Sequence, residues 1–301
     1  MSFETRNFNT ISPSALSLIG LKAHTQIPFA RETASYLSDS LQEIAKHNGE
    51  IDKATFFKLL VHFENRYRTV DHVLSNLNVN NILEISSGYS FRGLNLCYQR
   101  AVHFIDTDLP EVISTKRKIT ETLISDQSEQ LKGTLNLHPL NALDKTGFEN
   151  LVDDFPEGPV AIINEGLLVY LNPEEKKELA SIIFNILEKR GGYWITGDIY
   201  TKKVKENEAL IPNENARRFR EAHKIDENKF EDFERAEQFF RESGFEIIQR
   251  ESVVTENLSC LDLLGDEKDR VILCLISSYK RCLLKNITLF AISADLNLNV
   301  D

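Results

Sequence analysis

Two acidic residues and a short glycine-containing loop stand at the ends of two successive apolar runs. Residues 82–85 (ILEI) lead into the small residues 86–88 (SSG), and residues 102–105 (VHFI) end at Asp106 and Asp108. This order is typical of a strand, a loop, a helix and a second strand that ends in an acid. In a doubly wound α/β sheet, such a unit binds a ligand over the carboxyl end of its first strand, and the acid accepts hydrogen bonds from ribose hydroxyls. The pattern predicts a cofactor that contains a nucleoside.

The spacing of the loop glycines separates two classes of cofactor. A dinucleotide requires glycines close together, as in GxGxxG, so that the backbone can approach its pyrophosphate. Here only Gly88 and Gly93 are present, five residues apart, and Ser86 and Ser90 stand where further glycines would be. The loop therefore favours a cofactor without phosphate, such as S-adenosylmethionine, over NAD. An ordinary βαβ turn that binds no ligand is the remaining alternative.

The elements that position these residues follow a regular α/β alternation from residue 81 onwards. The apolar runs predict strands at 82–85, 102–106, 134–139, 160–164, 193–196, 245–249 and 287–292. Two polar or helical segments, at about 200–228 and 256–283, are interpreted as insertions. Strands that alternate with helices predict an α/β fold with a doubly wound, mainly parallel, seven-stranded Rossmann-like sheet.

Helix signals are strong in two regions. Residues 1–78 contain helical patterns, with expected helices starting at Ser12-Pro13 and covering about 30–46, 53–63 and 69–77. They predict an N-terminal helical cap, followed by a cofactor-binding domain over residues 79–301. Farther along, Asn172-Pro173 is an N-cap with proline at the first helical position, and Gly191 is a C-terminal stop. These residues predict a helix between them.

Composition excludes several classes of protein. The chain has 301 residues and a formal net charge of -11, which argues against a protein that follows nucleic-acid phosphates. The longest late apolar run, VILCLI, is too short to cross a membrane, and the N-terminus lacks a signal-peptide core. The four cysteines form no CxxC pair, which indicates thiols in a reducing compartment. We expect a cytoplasmic protein without a membrane anchor.

The seven histidines are scattered, without an HExxH motif, and no metal site is expected. His62 and His72 are interpreted as structural or surface residues rather than ligands.

Five segments resemble the leucine carboxyl methyltransferase family, which includes bacterial O-methyltransferases of the polyketide type. ILEISSGYSFR resembles the family's first motif, FIDTDLPEVISTKRK its second and INEGLLVYLNPEE its fourth. AEQFFRESGFE resembles the segment before strand six, and ISPSALSLIGLKA resembles the N-terminal helix start of the bacterial members. The similarity covers about residues 10–292 and is weakest in the two insertions. It implies a class I S-adenosylmethionine-dependent methyltransferase domain over residues 79–301.

The resemblance implies roles for three residues at the methionine end of the cofactor. Gly88 lets the first loop approach the cofactor, and Arg68 binds its carboxylate. Glu165 lies near the methionine ammonium and the reacting centre. If Arg68 has this role, the helical cap folds over the methyl donor. Two roles are equally compatible with Arg92, which could hold the loop or bind an acidic substrate.

The resemblance also implies the residues that contact adenosine. Asp108 corresponds to the acid that binds the ribose, with Asp106 beside it, and Asn141-Ala142 lies near the adenine ring. Two positions depart from the family pattern. Ser86 replaces a glycine, so that a tighter or shifted loop is expected. Asn141 replaces an aspartate, which adds hydrogen-bond donors beside the carbonyl acceptor.

The function expected from these observations is transfer of a methyl group from S-adenosylmethionine to a carboxylate or hydroxyl. The acceptor is expected to be a small molecule, with a protein C-terminal carboxylate as the other option. Its pocket is expected between the N-terminal helices and residues 200–228. No histidine is placed as a base, so no catalytic residue is assigned. An NAD-dependent oxidoreductase and a non-catalytic cofactor-binding protein are the alternative functions.

Overall fold

The computed structural model describes residues 8–48, 51–197, 199–202, 213–251, 258–267 and 289–294. Asp198, where the fifth expected strand ends, lies outside the described residues. So do residues 203–212 and 268–283, which belong to the two expected insertions.

The centre of the fold is a mainly parallel sheet. Its strands are β1 (Asn81–Ile85), β2 (His103–Asp108), β3 (Thr134–Pro139), β4 (Val160–Asn164), β5 (Gly192–Thr196), β6 (Phe245–Glu251) and β7 (Leu289–Ala294). They lie in the order β3-β2-β1-β4-β5-β7-β6, and β7 runs antiparallel to both of its neighbours. The α/β fold with a mainly parallel sheet is thus confirmed. Strand order reverses between β1 and β4, and the crevice at such a reversal is where open α/β sheets bind ligands.

Helices cover both faces of the sheet and the region over its carboxyl edge. They are α1 (Pro13–Lys22), α2 (Ala30–Tyr36), α3 (Ser38–Asn48), α4 (Lys53–Ser75), α5 (Arg92–Gln99), α6 (Pro110–Ser125), α7 (Lys145–Asp153), α8 (Pro173–Arg190), α9 (Glu214–Ala222), α10 (Ile225–Asn228) and α11 (Phe233–Glu242). Short 3₁₀ helices cover Phe8–Ile11, Leu168–Tyr170 and Ser259–Glu267. Among the described residues, no helix is long and apolar enough to cross a membrane.

The helix expected after Asn172 is confirmed, and both residues expected at its ends, Asn172 and Gly191, cap it. The Asn172 side chain accepts from the backbone N–H of Glu175, at 2.9 Å, and the Glu175 side chain accepts from the Asn172 N–H, at 2.8 Å. This reciprocal capping box satisfies two backbone donors that the first turn would otherwise leave unpaired. Gly191 ends α8 with a φ of 68°, which a residue with a side chain rarely adopts.

Two expected helices at 53–63 and 69–77 form the single helix α4. The intervening residues are polar, but Glu64, Arg66 and Thr69 are buried, so that the helix continues through them. Farther along α4, Val70, Val73 and Leu74 pack in one apolar cluster with residues of β1, β4 and β5. The N-terminal helices therefore share a core with the sheet, and a domain boundary at residue 78 stays a prediction.

Glu64 on α4 holds a late segment of the chain in place. Its buried carboxylate accepts from the backbone N–H groups of Ser259 and Cys260, at 3.1 and 2.8 Å, and from the Ser259 hydroxyl, at 2.5 Å. Arg68 contacts the same carboxylate at 3.4 Å. Glu64 therefore connects α4 to residues 258–260.

We predict that Glu64→Ala lowers the free energy of unfolding by about 2–3 kcal/mol, because it leaves buried backbone donors without an acceptor. Urea unfolding at constant pH measures this change. Glu43→Ala is the matched control, since Glu43 is a largely exposed glutamate on a neighbouring helix. Equal stability of the two variants would contradict the role assigned to Glu64.

Candidate functional site

A cavity of about 1040 Å³ lies over the carboxyl edge of the sheet. Its floor is formed by residues 86–90 after β1, Asp108 at the end of β2, residues 140–143 after β3 and Glu165 after β4. Residues of α1, α3, α4 and α9 contribute to the remaining walls, together with Tyr170 and Tyr200. The N-terminal helices and the 200–228 region therefore both line the cavity, and binding of an acceptor there stays a prediction.

The loop after β1 is fixed by hydrogen bonds to the end of β2. The backbone N–H of Gly88 donates to Asp108 Oδ2 at 2.7 Å, and the N–H of Leu109 donates to Oδ1 at 2.7 Å. Ser86 and Gly88 both have positive φ, 53° and 55°. Such a φ is uncommon for a residue with a Cβ, so Ser86 holds a backbone shape that glycine would adopt without strain.

Asp106 lies below this loop, outside the residues that line the cavity. Its carboxylate is buried and pairs with Lys116 Nζ at 2.6 Å, and the same ammonium donates to the Ser87 hydroxyl at 2.8 Å. Of the two acids expected near the ribose, the structure brings Asp108 to the cavity and uses Asp106 to support the loop.

The most concentrated charge in the cavity wall is centred on Glu165. Its carboxylate lies 2.8 Å from Lys22 Nζ, 3.2 Å from Arg66 Nε and 2.9 Å from Arg92 Nη2. Burial alone would raise the pKa of Glu165, but these three cations outweigh it and hold the pKa well below the usual range. Glu165 is therefore ionised at all physiological pH values.

Arg92 connects Glu165 to two further acids. Its guanidinium is fully buried, donates from Nε to Asp71 at 2.6 Å and from Nη1 to Glu84, and lies 4.3 Å from the centre of the Tyr67 ring. Arg92 is not one of the residues that line the cavity. Of its two expected roles, the structure therefore supports holding the loop region rather than binding an acidic substrate.

Arg68 does not reach the cavity. Its Nη2 donates to the backbone oxygen of Gln26 at 2.9 Å and contacts Glu64 at 3.4 Å, so it holds the surface of the helical region. Arg66, two residues earlier, lines the cavity instead. The spacing of residues along a helix already separates the two arginines. Arg66 is four residues from both His62 and Val70, so the three share one face of α4, whereas Arg68 lies on another face.

Lys22 was not singled out from the sequence, although one signal was present. It is the only charged residue in α1, PSALSLIGLK, and it is buried in the structure. A lone lysine at the end of an apolar helix is costly to bury unless a carboxylate meets it. The partner, Glu165, is 143 residues away, which no local pattern reveals.

His62 and Tyr200 form a second polar group in the cavity wall. His62 Nε2 lies 3.0 Å from the Tyr200 hydroxyl oxygen, and Arg66 Nη1 donates to the same oxygen at 2.9 Å. Burial, followed by the Arg66 charge, lowers the pKa of His62 to about 3. His62 is therefore neutral at physiological pH and a weak proton acceptor. Of the two expected settings for His62, structural or surface, the structure gives a buried one.

The expected adenine-binding residues, Asn141 and Ala142, line the cavity after β3. Asn141 Oδ1 accepts from the backbone N–H of Leu143 at 3.1 Å, which fixes the orientation of the amide. Among the described residues, no group of three or more histidine, cysteine or acidic side chains is placed to hold a metal ion.

Comparison with known proteins gives a structural match but no match in sequence. No family model and no curated protein matches the chain. A DUF574 family protein from Streptomyces avermitilis superimposes with a TM-score of 0.54 and 14% identity, covering 92% of this chain and 96% of that chain. This match supports the α/β fold, and the family indicated by the motifs is not shown by any family model.

Two further solved structures are more distant. A magnesium protoporphyrin IX methyltransferase from Synechocystis, with bound SAH, has a TM-score of 0.47 and 10% identity, and covers 88% of this chain and 99% of that chain. A mycolic acid cyclopropane synthase complexed with SAH has a TM-score of 0.45 and 14% identity, covering 75% and 83%. Both are too weakly similar to bear on the activity of this chain.

The Glu84 carboxyl gives the site a measurable pH dependence. Burial raises the pKa of Glu84 from its ordinary value of 4.5 to about 7, and Asp106 on the adjacent strand adds to the shift while Arg92 opposes it. The folded protein therefore holds this proton more tightly than the unfolded chain does. Binding of this proton therefore stabilises the folded state. The stabilisation is complete below about pH 4.5, the ordinary pKa of the unfolded chain, and is lost as the pH rises to about 7.

We predict that the free energy of unfolding of the wild type falls between pH 4.5 and 7, with a slope of up to about 1.4 kcal/mol per pH unit. Glu84→Gln should remove this fall, because glutamine does not titrate. Denaturant unfolding of both proteins across this range measures the difference. Glu178→Gln, on the exposed side of α8, is the control. Parallel stability profiles for wild type and Glu84→Gln would show that Glu84 does not titrate in this range.

Proposed function

We propose that the protein is an S-adenosylmethionine-dependent O-methyltransferase. The observation that carries the proposal is the group of Lys22, Arg66 and Glu165 in the cavity wall, close to a loop that Asp108 holds. The motifs shared with the leucine carboxyl methyltransferase family support the same function. The proposal includes membership of that family and a methyltransferase domain over residues 79–301.

The charged group suits the methionine end of the cofactor, which carries an ammonium and a carboxylate. Glu165 can accept from the ammonium, while Lys22 and Arg66 can donate to the carboxylate. Without ligand these side chains pair with one another, so binding exchanges one set of ion pairs for another. The exchange avoids leaving a buried charge unpaired, which would be costly.

Asp108 and residues 141–142 suit the adenosine. Each Asp108 oxygen accepts one backbone N–H and keeps further acceptor capacity, which two ribose hydroxyls can use. The loop approaches α1 at Gly88, where an added Cβ would stand 3.3 Å from the Ala15 Cβ. The loop lacks the closely spaced glycines that a pyrophosphate requires, which favours an adenosyl compound over a dinucleotide.

The protein's contribution to the reaction is alignment and exclusion of water. The bound sulfonium supplies the methyl group for an in-line displacement by the acceptor oxygen. The cavity walls hold the acceptor, and Arg66, Tyr200 and His62 present a polar surface to it. A carboxylate acceptor is already ionised and needs no base, whereas a hydroxyl gains from one.

Because His62 is a weak proton acceptor, we favour a carboxylate acceptor over a hydroxyl. A small molecule and a protein C-terminal carboxylate are both consistent with this preference, and we favour the small molecule because mostly apolar side chains line the cavity.

The test of cofactor class is isothermal titration calorimetry with S-adenosylmethionine, S-adenosylhomocysteine and NAD. We expect saturable binding of the two adenosyl compounds and none of NAD. Saturable binding of NAD alone would replace the proposal with an oxidoreductase. Binding of the adenosyl compounds without methylation of any acceptor in a panel of apolar acids and alcohols would support the non-catalytic alternative.

A pair of substitutions on α4 tests which arginine belongs to the site. Arg66→Lys should weaken binding of S-adenosylhomocysteine by roughly 1.5–3 kcal/mol, because an ammonium cannot reproduce the guanidinium's several fixed donors. Arg68→Lys should retain the wild-type affinity, because Arg68 contacts Gln26 and Glu64 outside the cavity. The reverse order of affinities would return the carboxylate-binding role to Arg68.

A further inference from the structure

The guanidinium of Arg66 is held by hydrogen bonds to two distant parts of the chain. Its Nε donates to Glu165 Oε1 at 3.2 Å, and its Nη1 donates to the Tyr200 hydroxyl oxygen at 2.9 Å. A guanidinium is planar and its donors form a rigid fork, so bonds from two of its nitrogens determine the plane of the group and the direction of the third nitrogen. The orientation of Arg66 in the cavity wall therefore depends on Tyr200 as well as on Glu165.

The space around Arg66 is narrow. Its side chain is only 4% exposed, and Cζ lies 5.1 Å from the centre of the Phe63 ring. A Cβ added at Gly166, after β4, would stand 3.2 Å from Arg66 Nη2. One added at Gly197, after β5, would stand 3.1 Å from Arg66 Cγ. The two glycines leave room for this one side chain, which has little space in which to turn to another orientation.

Tyr200 is itself fixed at its backbone and at its hydroxyl. Its backbone oxygen accepts from the Phe230 N–H at 3.0 Å, and the buried Thr201 forms a parallel bridge with Phe230. At the other end of the side chain, the Tyr200 hydroxyl oxygen lies 3.0 Å from His62 Nε2. A side chain held at both ends restrains the arginine that donates to it.

The two partners of Arg66 respond differently to the cofactor. In the proposed function the cofactor ammonium binds Glu165, so that it competes with Arg66 for this carboxylate. The Tyr200 hydroxyl is neutral, and the ammonium finds no opposite charge there. The hydrogen bond from Arg66 to Tyr200 is therefore retained when Glu165 is shared, and it keeps the guanidinium oriented for the cofactor carboxylate.

We propose that Tyr200 is a positioning residue for the amino-acid end of the cofactor. Its hydroxyl aligns Arg66, and through Arg66 it sets the preference of the cavity for adenosyl ligands that carry a carboxylate and an ammonium. The inference rests on the proposed function, because Arg66 meets a cofactor carboxylate only in that function.

The test compares two ligands that share adenosine and sulfur and differ in the amino acid. S-adenosylhomocysteine carries the ammonium and the carboxylate, whereas 5′-methylthioadenosine has a methyl group in place of the amino-acid chain. Tyr200→Phe removes the hydroxyl oxygen and keeps the ring. We expect it to weaken binding of S-adenosylhomocysteine about fivefold, equivalent to about 1 kcal/mol, and to change that of 5′-methylthioadenosine by less than about twofold. Isothermal titration calorimetry measures both affinities.

A double-mutant cycle shows whether Tyr200 acts through Arg66. Arg66→Lys replaces the fork with an ammonium, which has no plane for the hydroxyl to align. Tyr200→Phe added to Arg66→Lys should therefore weaken binding of S-adenosylhomocysteine by less than about twofold further. The full fivefold loss in both backgrounds would show that Tyr200 acts independently of Arg66, and the proposal would be wrong.

Tyr36→Phe is the matched control, because it removes the hydroxyl of a half-exposed tyrosine on α2 and should leave both affinities at the wild-type value. Urea unfolding verifies the fold of each variant. If Tyr200→Phe does not fold, His62→Leu replaces it, since it removes the His62 contact of the Tyr200 hydroxyl and should weaken binding of S-adenosylhomocysteine alone. In the variant that folds, an unchanged affinity for S-adenosylhomocysteine, or equal losses for the two ligands, would overturn the proposal.

Failure of this inference is distinguishable from failure of the proposed function. Wild type that binds S-adenosylhomocysteine, with an equal affinity in Tyr200→Phe, would remove only the role of Tyr200. Wild type that binds neither adenosyl ligand would remove the proposed function and the role of Tyr200 with it.

Discussion

A single buried guanidinium, that of Arg92, joins three separate parts of the chain at the edge of the sheet. It meets Asp71 from α4, Glu84 from β1 and Glu165 from the segment after β4. Glu84 and Glu165 are buried and would be costly to bury alone, and removing one partner from such a group leaves uncompensated charge. Arg92 therefore fixes the relative positions of α4, the first strand and the residue at the centre of the candidate site, and the rest of the cavity wall is built on this arrangement.

Further charged groups lie around this arginine. Lys22 and Arg66 pair with Glu165, and Lys116 pairs with Asp106. Two carboxyl oxygens in this region, Glu84 Oε2 and Asp106 Oδ1, have no hydrogen-bond partner among the described residues. These two acids lie opposite each other on β1 and β2. Burial, to which the proximity of Asp106 adds, raises the pKa of Glu84 to about 7, so that Glu84 keeps its proton closer to neutral pH than an ordinary glutamate does.

The features that the sequence predicted well are those with local causes. Apolar runs marked the strands of the parallel sheet, and Asn172, Pro173 and Gly191 marked both ends of α8, because strand burial and helix capping depend on neighbouring residues. The site is different. The burial of Lys22 and the contact between His62 and Tyr200 depend on partners that are 143 and 138 residues distant along the chain. Motif resemblance placed Asp108 and Glu165 at the cavity but could not supply those partners.

The charged wall around Glu165 and the apolar walls of the cavity are carried by the same helices. Lys22, which pairs with Glu165, ends the same helix α1 that contributes Leu18 to the apolar wall. Arg66 belongs to α4, which contributes Leu59 and Phe63. A ligand that took Lys22 or Arg66 from Glu165 would therefore act on helices that also carry the apolar walls of the cavity. If displacement of Lys22 or Arg66 shifted α1 or α4, ligands at the charged and the apolar walls would be coupled, and thermodynamic linkage requires each to change the affinity for the other by the same factor.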